Sequence, residues 1–168
     1  MKKLITLLFT VIFAVNIIHA QTNWITHKAD NRVSLKFPTE PVERIKGTFI
    51  ATSKDTSIAY VFTVVDFAAT AGVDSTAIAP YKTTPEFASQ LKAGILKSLP
   101  TVELEDFKIG TWKGFTSYTS TGVDNKSKKY FLFMFIIGNK LYSVSSILAP
   151  NADIKKKDEF VSAVEISN

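Results

Sequence analysis

The chain has 168 residues, a formal net charge of +5, 13 Phe and no cysteine. The absence of cysteine excludes a disulfide scaffold, a cysteine nucleophile, thiolate zinc sites and a lipid-anchored lipoprotein. The positive charge is mild, Lys2 and Lys3 contribute to it, and it is too small to argue for nucleic-acid binding.

Residues 1–20 have the three parts of a secretory signal peptide. Lys2 and Lys3 form a basic start, residues 4–18 are mostly apolar, and Ala20 offers a small residue at the cut. The apolar run is shorter than the roughly 20 residues that span a bilayer, and no basic stop-transfer cluster follows it. The sequence therefore predicts an exported protein, periplasmic or extracellular, whose mature chain starts at Gln21. Residues 21–168 are expected to form a single α+β domain with no membrane span. A chain of this length buries about 68–70% of the surface its unfolded form exposes, so it needs no metal or disulfide to fold. An exported domain without cysteine fits a bacterial envelope.

Residues 32–37 alternate, with Val33, Leu35 and Phe37 on one face, and predict a half-buried strand that Pro38 ends. A second strand is expected over 43–51, then a turn at Ser53, Lys54 and Asp55. Residues 57–67 are apolar on both faces, which predicts an interior strand. Residues 68–82 show no period and read as the longest irregular segment. Thr84, Pro85 and Glu86 mark a helix start. Phe87, Leu91, Ile95 and Leu99 then recur at four-residue spacing as one apolar stripe, and Pro100 stops it.

Strands return at 102–109, with a bulge expected where the phase slips at Asp106, and at 115–121, which is polar on one side. Residues 130–137 read YFLFMFII and predict a central strand. Gly138 and Asn139 form a two-residue hairpin signal, so 141–148 is its antiparallel partner. Asn151 is expected to cap a last helix, with Ile154, Phe160, Val161 and Val164 on its apolar face and Lys155, Lys156 and Lys157 toward solvent. The order of strands, helix, strands and helix, joined by hairpins, implies an antiparallel sheet of about six to seven strands flanked by helices.

The run VSLKFPTEP, the hairpin after it, SIAYVFTVVDF, the mid-chain helix, the strands around GNKLYSVSS and the terminal KDEFVSAVEIS together resemble the PsbP-like family. That group contains photosynthetic extrinsic proteins and many small exported bacterial proteins. The resemblance implies an α/β/α sandwich over most of residues 30–168. It carries over no binding residue and no activity.

The chemistry-bearing residues are few. His27 is the one histidine left after cleavage, and a solvated side chain ahead of the first strand is its expected state. A hydrolytic triad needs a histidine held between nucleophile and acid, and nothing in the sequence holds His27 so. Glu103, Glu105 and Asp106 are the densest acidic cluster and read as a solvated strand face rather than an acid–base pair. Trp24 and Trp112 are candidate exposed binding aromatics, and Trp112, beside Gly110 and Gly114, reads equally as a side chain packed over a turn. No catalytic residue, metal ligand or cofactor is expected. Lys126, Lys128 and Lys129, in a loop over 122–129, are the expected partner surface. The function that follows is a non-enzymatic binding or accessory module of the cell envelope, with an envelope protein as partner and no nucleic acid. Two other readings stay open. One is a carrier or sensor of a small apolar ligand held between helix 84–99 and the sheet. The other is a hydrolase with an unrecognised site.

Overall fold

The structure, a computed structural model, describes residues 24–167. The expected signal peptide and the start at Gln21 lie outside the described residues. The architecture is α+β, built on an eight-stranded antiparallel sheet and a three-stranded sheet.

The small sheet joins the two ends of the described chain. Strand β1 (Ile25–Lys28) and β11 (Val164–Ile166) flank β2 (Val33–Phe37) in the order β1-β2-β11. The alternation read in β2 is present, with Val33, Leu35 and Phe37 buried and Ser34 and Lys36 half-buried. Two expectations change here. His27 does not precede the first strand but sits inside β1, opposite Leu35. Val164 does not extend the last helix but opens a strand, because it pairs with Leu35 on the free edge of β2.

The large sheet starts with a hairpin, β3 (Val42–Ile45) and β4 (Thr48–Thr52), where one strand over 43–51 was expected. The turn forms at Gly47, whose φ of 78° is open to glycine, and the Glu43 carboxylate accepts from the Gly47 amide at 2.7 Å. Strand β5 (Ile58–Asp66) lies between β4 and β10 (Lys140–Leu148), the interior position its two apolar faces predict. Next to β10 come β9 (Lys129–Ile137) and β8 (Phe115–Asp124), and the far edge is shared by β6 (Val102–Leu104) and β7 (Lys108–Trp112), both paired to β8. The expected bulge at Asp106 is instead a full break between β6 and β7. Phe107 turns into the core there, and the Glu105 amide still bonds the Thr121 carbonyl at 2.8 Å.

The segment expected to be irregular holds two short helices, α1 (Phe67–Ala71) and α2 (Ser75–Ile78). Asp66 and Asp74 cap them by accepting backbone amides, the usual N-cap role of a short carboxylate. Helix α3 (Pro85–Ser98) starts as predicted, with Thr84 Oγ1 accepting from the Phe87 amide at 3.2 Å. Helix α4 (Lys156–Ser162) starts later than expected, and Asn151 does not cap it. Residues 149–155 form turns in which Asp153, not Asn151, takes the Lys155 amide at 3.0 Å.

Strand β9 separates two cores. Leu132, Met134 and Ile136 face α3 with Tyr118 and Leu141. Phe133, Phe135 and Ile137 face the small sheet and Phe160 of α4. The layers are therefore α3, the large sheet, then the small sheet with α4.

Candidate functional site

The face of the large sheet toward the small sheet is only partly covered. Cross-strand register places Thr119, Phe133 and Val144 in one row and Thr121, Phe131 and Ser146 in the next. These rows floor a groove of about 550 Å³, a size common among small-molecule sites. One wall is the β7–β8 hairpin with Trp112 and Lys113, and the other is α4 with Lys157, Asp158 and Val161. This is the opposite face from the one where a ligand pocket was expected. The sheet face under α3 is filled by Tyr118, Met134, Leu132 and their neighbours.

The hairpin wall is set by local chemistry. Trp112 pairs with Phe115, leaving Lys113 and Gly114 as a two-residue loop with φ of 49° and 82°. Two positive φ values make a type I′ turn, whose twist suits the strands. Trp112 lies on Phe133 and Phe135, with ring centroids 5.3 and 4.9 Å away. The Lys113 ammonium sits 4.6 Å from the centroid of the Trp112 ring and donates to the Val164 carbonyl at 3.0 Å. On the opposite wall the Lys157 ammonium is 5.1 Å from the centroid of Phe131 and 2.5 Å from an Asp158 oxygen. Lys157 is thus not turned to solvent as expected, and its side chain is 26% exposed. Lys156 is engaged too, by Glu159 at 2.9 Å.

Elsewhere the polar side chains hold the fold. Asp30 accepts from the Tyr142 hydroxyl at 2.6 Å, from Lys140 at 2.9 Å and from the amides of Arg32 and Val33. Burial works against its charge, but these donors win and hold the carboxyl well below the usual range. Burial, then Asp30, raise the Tyr142 hydroxyl. Burial raises Tyr60 to about 12. Tyr118 donates to the Lys82 carbonyl, and burial raises its pKa as well.

His27 is packed rather than solvated. Its ring lies 4.1 Å from that of Phe49 and 6.0 Å from that of Phe37, and Nε2 is buried without a partner among the described residues. Burial lowers its pKa, against opposing pulls from Glu40 and Glu43. Glu103 and Glu105 are exposed, and Asp106 pairs with Lys92 at 2.7 Å. Trp24 packs against Tyr60 and Phe160.

The expected loop over 122–129 is shorter than read. Residues up to Asp124 belong to β8, and Lys129 opens β9. Lys126, Lys128 and Lys129 are all exposed. Asp124 organises the turn, accepting from the amides of Lys126 and Lys128 at 2.8 and 2.9 Å. Sequence reasoning missed the groove because its walls, residues 112–113 and 157–161, are distant in the chain. The one available signal was Trp112 next to Lys113 and Gly114 at a turn.

No protein-family model matches the chain, and no curated protein matches it. Among solved structures the chain is similar to the solution structure of cyanobacterial PsbP (CyanoP) from Synechocystis sp. PCC 6803. The TM-score is 0.62 at 10% identity, over 92% of this chain and 99% of that one. A crystal structure from Bacteroides thetaiotaomicron VPI-5482 is similar at 17% identity with a TM-score of 0.43, over 81% of this chain and 45% of that one. The likeness to the cyanobacterial protein shows a PsbP-like fold, the architecture that the sequence resemblance implies. Among the described residues no helix is long and apolar enough to cross a membrane.

Proposed function

We propose that this protein is an exported, non-enzymatic binding or accessory domain of the cell envelope, processed after Ala20 and acting by surface contact. The observation that supports this reading is where the chain's ionisable groups are spent. Asp30 joins two sheets, Asp66 and Asp74 cap helices, Asp124 organises a turn, and Tyr118 and Tyr142 anchor to neighbouring elements. The PsbP-like fold, shared with a small cyanobacterial protein over nearly its whole length, agrees with an accessory role. Lys126, Lys128 and Lys129 are the contact we favour, because all three are exposed at a turn whose backbone Asp124 fixes, which offers an acidic partner surface a local excess of positive charge.

Removing the turn is a poor test, since Val123 and Asp124 pair with Glu103 and Val102. Charge reversal is the better one. Cross-linking in the source cell should yield a defined partner with the parent protein, recovered from the envelope with a mass starting at Gln21. The Lys126→Glu, Lys128→Glu, Lys129→Glu triple variant should fold and lose that cross-link. An unchanged cross-link would reject the lysine surface, and a retained Met1 would reject export with processing.

A further inference from the structure

The groove between the β7–β8 hairpin and α4 has features that surface contact with a protein does not use. Its floor is aromatic and aliphatic, from Phe131, Phe133 and Val144, and Val161 of α4 continues the apolar lining. Thr119, Thr121 and Ser146 share the floor's rows and add hydroxyls. Its charged lining is Lys113, Lys157 and Asp158, two cations and one anion.

The two cations are not equivalent. Lys157 already has Asp158 as counter-ion. Lys113 has no carboxylate within 4.0 Å among the described residues, and its ammonium is held by a neutral carbonyl and the face of Trp112. That ammonium is positioned by the backbone. Lys113 occupies a left-handed site, φ 49°, where Asn, Asp or Gly are the easy choices. Its bond to Val164, 51 residues away in the chain, fixes it between the hairpin and the small sheet. An apolar trough with an uncompensated cation at its wall is complementary to a molecule with an apolar body and one negative head.

We infer that this groove binds a single-chain amphipathic anion, with the chain along Phe131, Phe133 and Val161 and the head at Lys113. Lys157, paired with Asp158, leaves the far wall close to neutral, so the head is drawn to Lys113. The inference is independent of the lysine turn at 126–129.

Titration with decanoate, below its micellar concentration and followed by NMR, tests it. Saturable one-to-one binding is expected, with the indole N–H of Trp112 shifting and that of Trp24 unmoved. Lys113→Gln, a change on an exposed turn, should weaken binding by about tenfold, the usual effect of losing one charge-assisted hydrogen bond. Val161→Trp should fill the trough and abolish binding while the thermal midpoint stays within a few degrees of the parent. Decan-1-ol should bind about tenfold more weakly than decanoate, since it lacks the charge. Decyl phosphate offers the same chain with a lipid-phosphate head, which carries about −1.5 to −2 near pH 7 against the carboxylate's single charge. A phosphate source is therefore assigned where a preference for it persists at about pH 5.5, and a carboxylate source where it does not. Non-saturable uptake, an unmoved Trp112, equal affinity for the alcohol, or full affinity in Lys113→Gln would each overturn the inference.

Discussion

His27 shows how one side chain can read as solvated and prove to be packed. In the sequence it stands beside polar Thr26 and Lys28 near the chain start, with nothing to mark a partner. In the structure Phe37 and Phe49 close over it, and those contacts arise from strand pairing that no local pattern announces. Its buried Nε2 lacks a partner among the described residues, which costs about 1–3 kcal/mol for a polar group out of water. Burial lowers its pKa from 6.5, so the unfolded chain takes up the proton first as pH falls. Stability from this residue is complete above the unfolded value and declines below it. His27→Phe should keep the ring contacts, raise the unfolding free energy at pH 7 by about 1 kcal/mol and flatten its fall between about pH 7 and 5. Urea unfolding at the two pH values checks this. A destabilised variant, or one with the parent's full pH slope, would count against the packing described.

At the scale of elements, β9 was the most legible because it needs no context. Apolar residues on both faces leave few positions other than the middle of a layered sheet. Gly138 at φ 61° then sets the two-residue hairpin to β10. Phe135 is 0% exposed, stacked on Tyr142 with centroids 5.1 Å apart. Phe135→Ala should cost about 3–5 kcal/mol in urea unfolding, through lost transfer energy and a cavity. Phe131, half-buried on the same strand face, lines the open groove. Phe131→Ala should cost no more than about 1–2 kcal/mol, since little cavity forms where solvent already reaches. Equal costs at the two positions would mean that the groove is closed. The elements misread in the sequence were short ones set by distant partners. Residues 43–51 are too few to show a hairpin by period alone. Strand β11 follows a helix after one residue and earns its strand geometry only by pairing with β2.

At the scale of the whole molecule, the layering was legible as a class, while the joint between layers was not. Two amphipathic helices and a run of hairpins imply a sheet with covered faces. The sequence does not reveal that the second cover is itself a sheet, because its strands come from residues 25–37 and 164–166. Nor does it mark the groove, which exists because that cover stops short of Phe131.

The charged joint between the two sheets is Asp30, in the turn before β2, which reaches Lys140 and Tyr142 of β10 from 110 and 112 residues away and adds to the apolar packing and to the Lys113–Val164 bond. Its side chain is 18% exposed, and four donors converge on it, so its charge is strongly favoured in the folded state. A carboxyl with a lowered folded pKa adds stability that is present above its unfolded value of 3.8 and lost as pH falls below it. Asp30→Asn keeps the size, removes the charge and sets an amide NH2 against two donors. It should cost about 1.5–3 kcal/mol at pH 7, the range for hydrogen bonds to a charged group, and remove part of the acid-side loss near pH 3. The effect should also be local, because Asp30 ties the small sheet to a large sheet that keeps its own ladders. Hydrogen exchange should therefore speed up first at the amides of β1, β2 and β11, with β9 and β10 following only on global unfolding. Uniform acceleration across both sheets would show that the layers unfold as one unit and that Asp30 does not hold the small sheet separately.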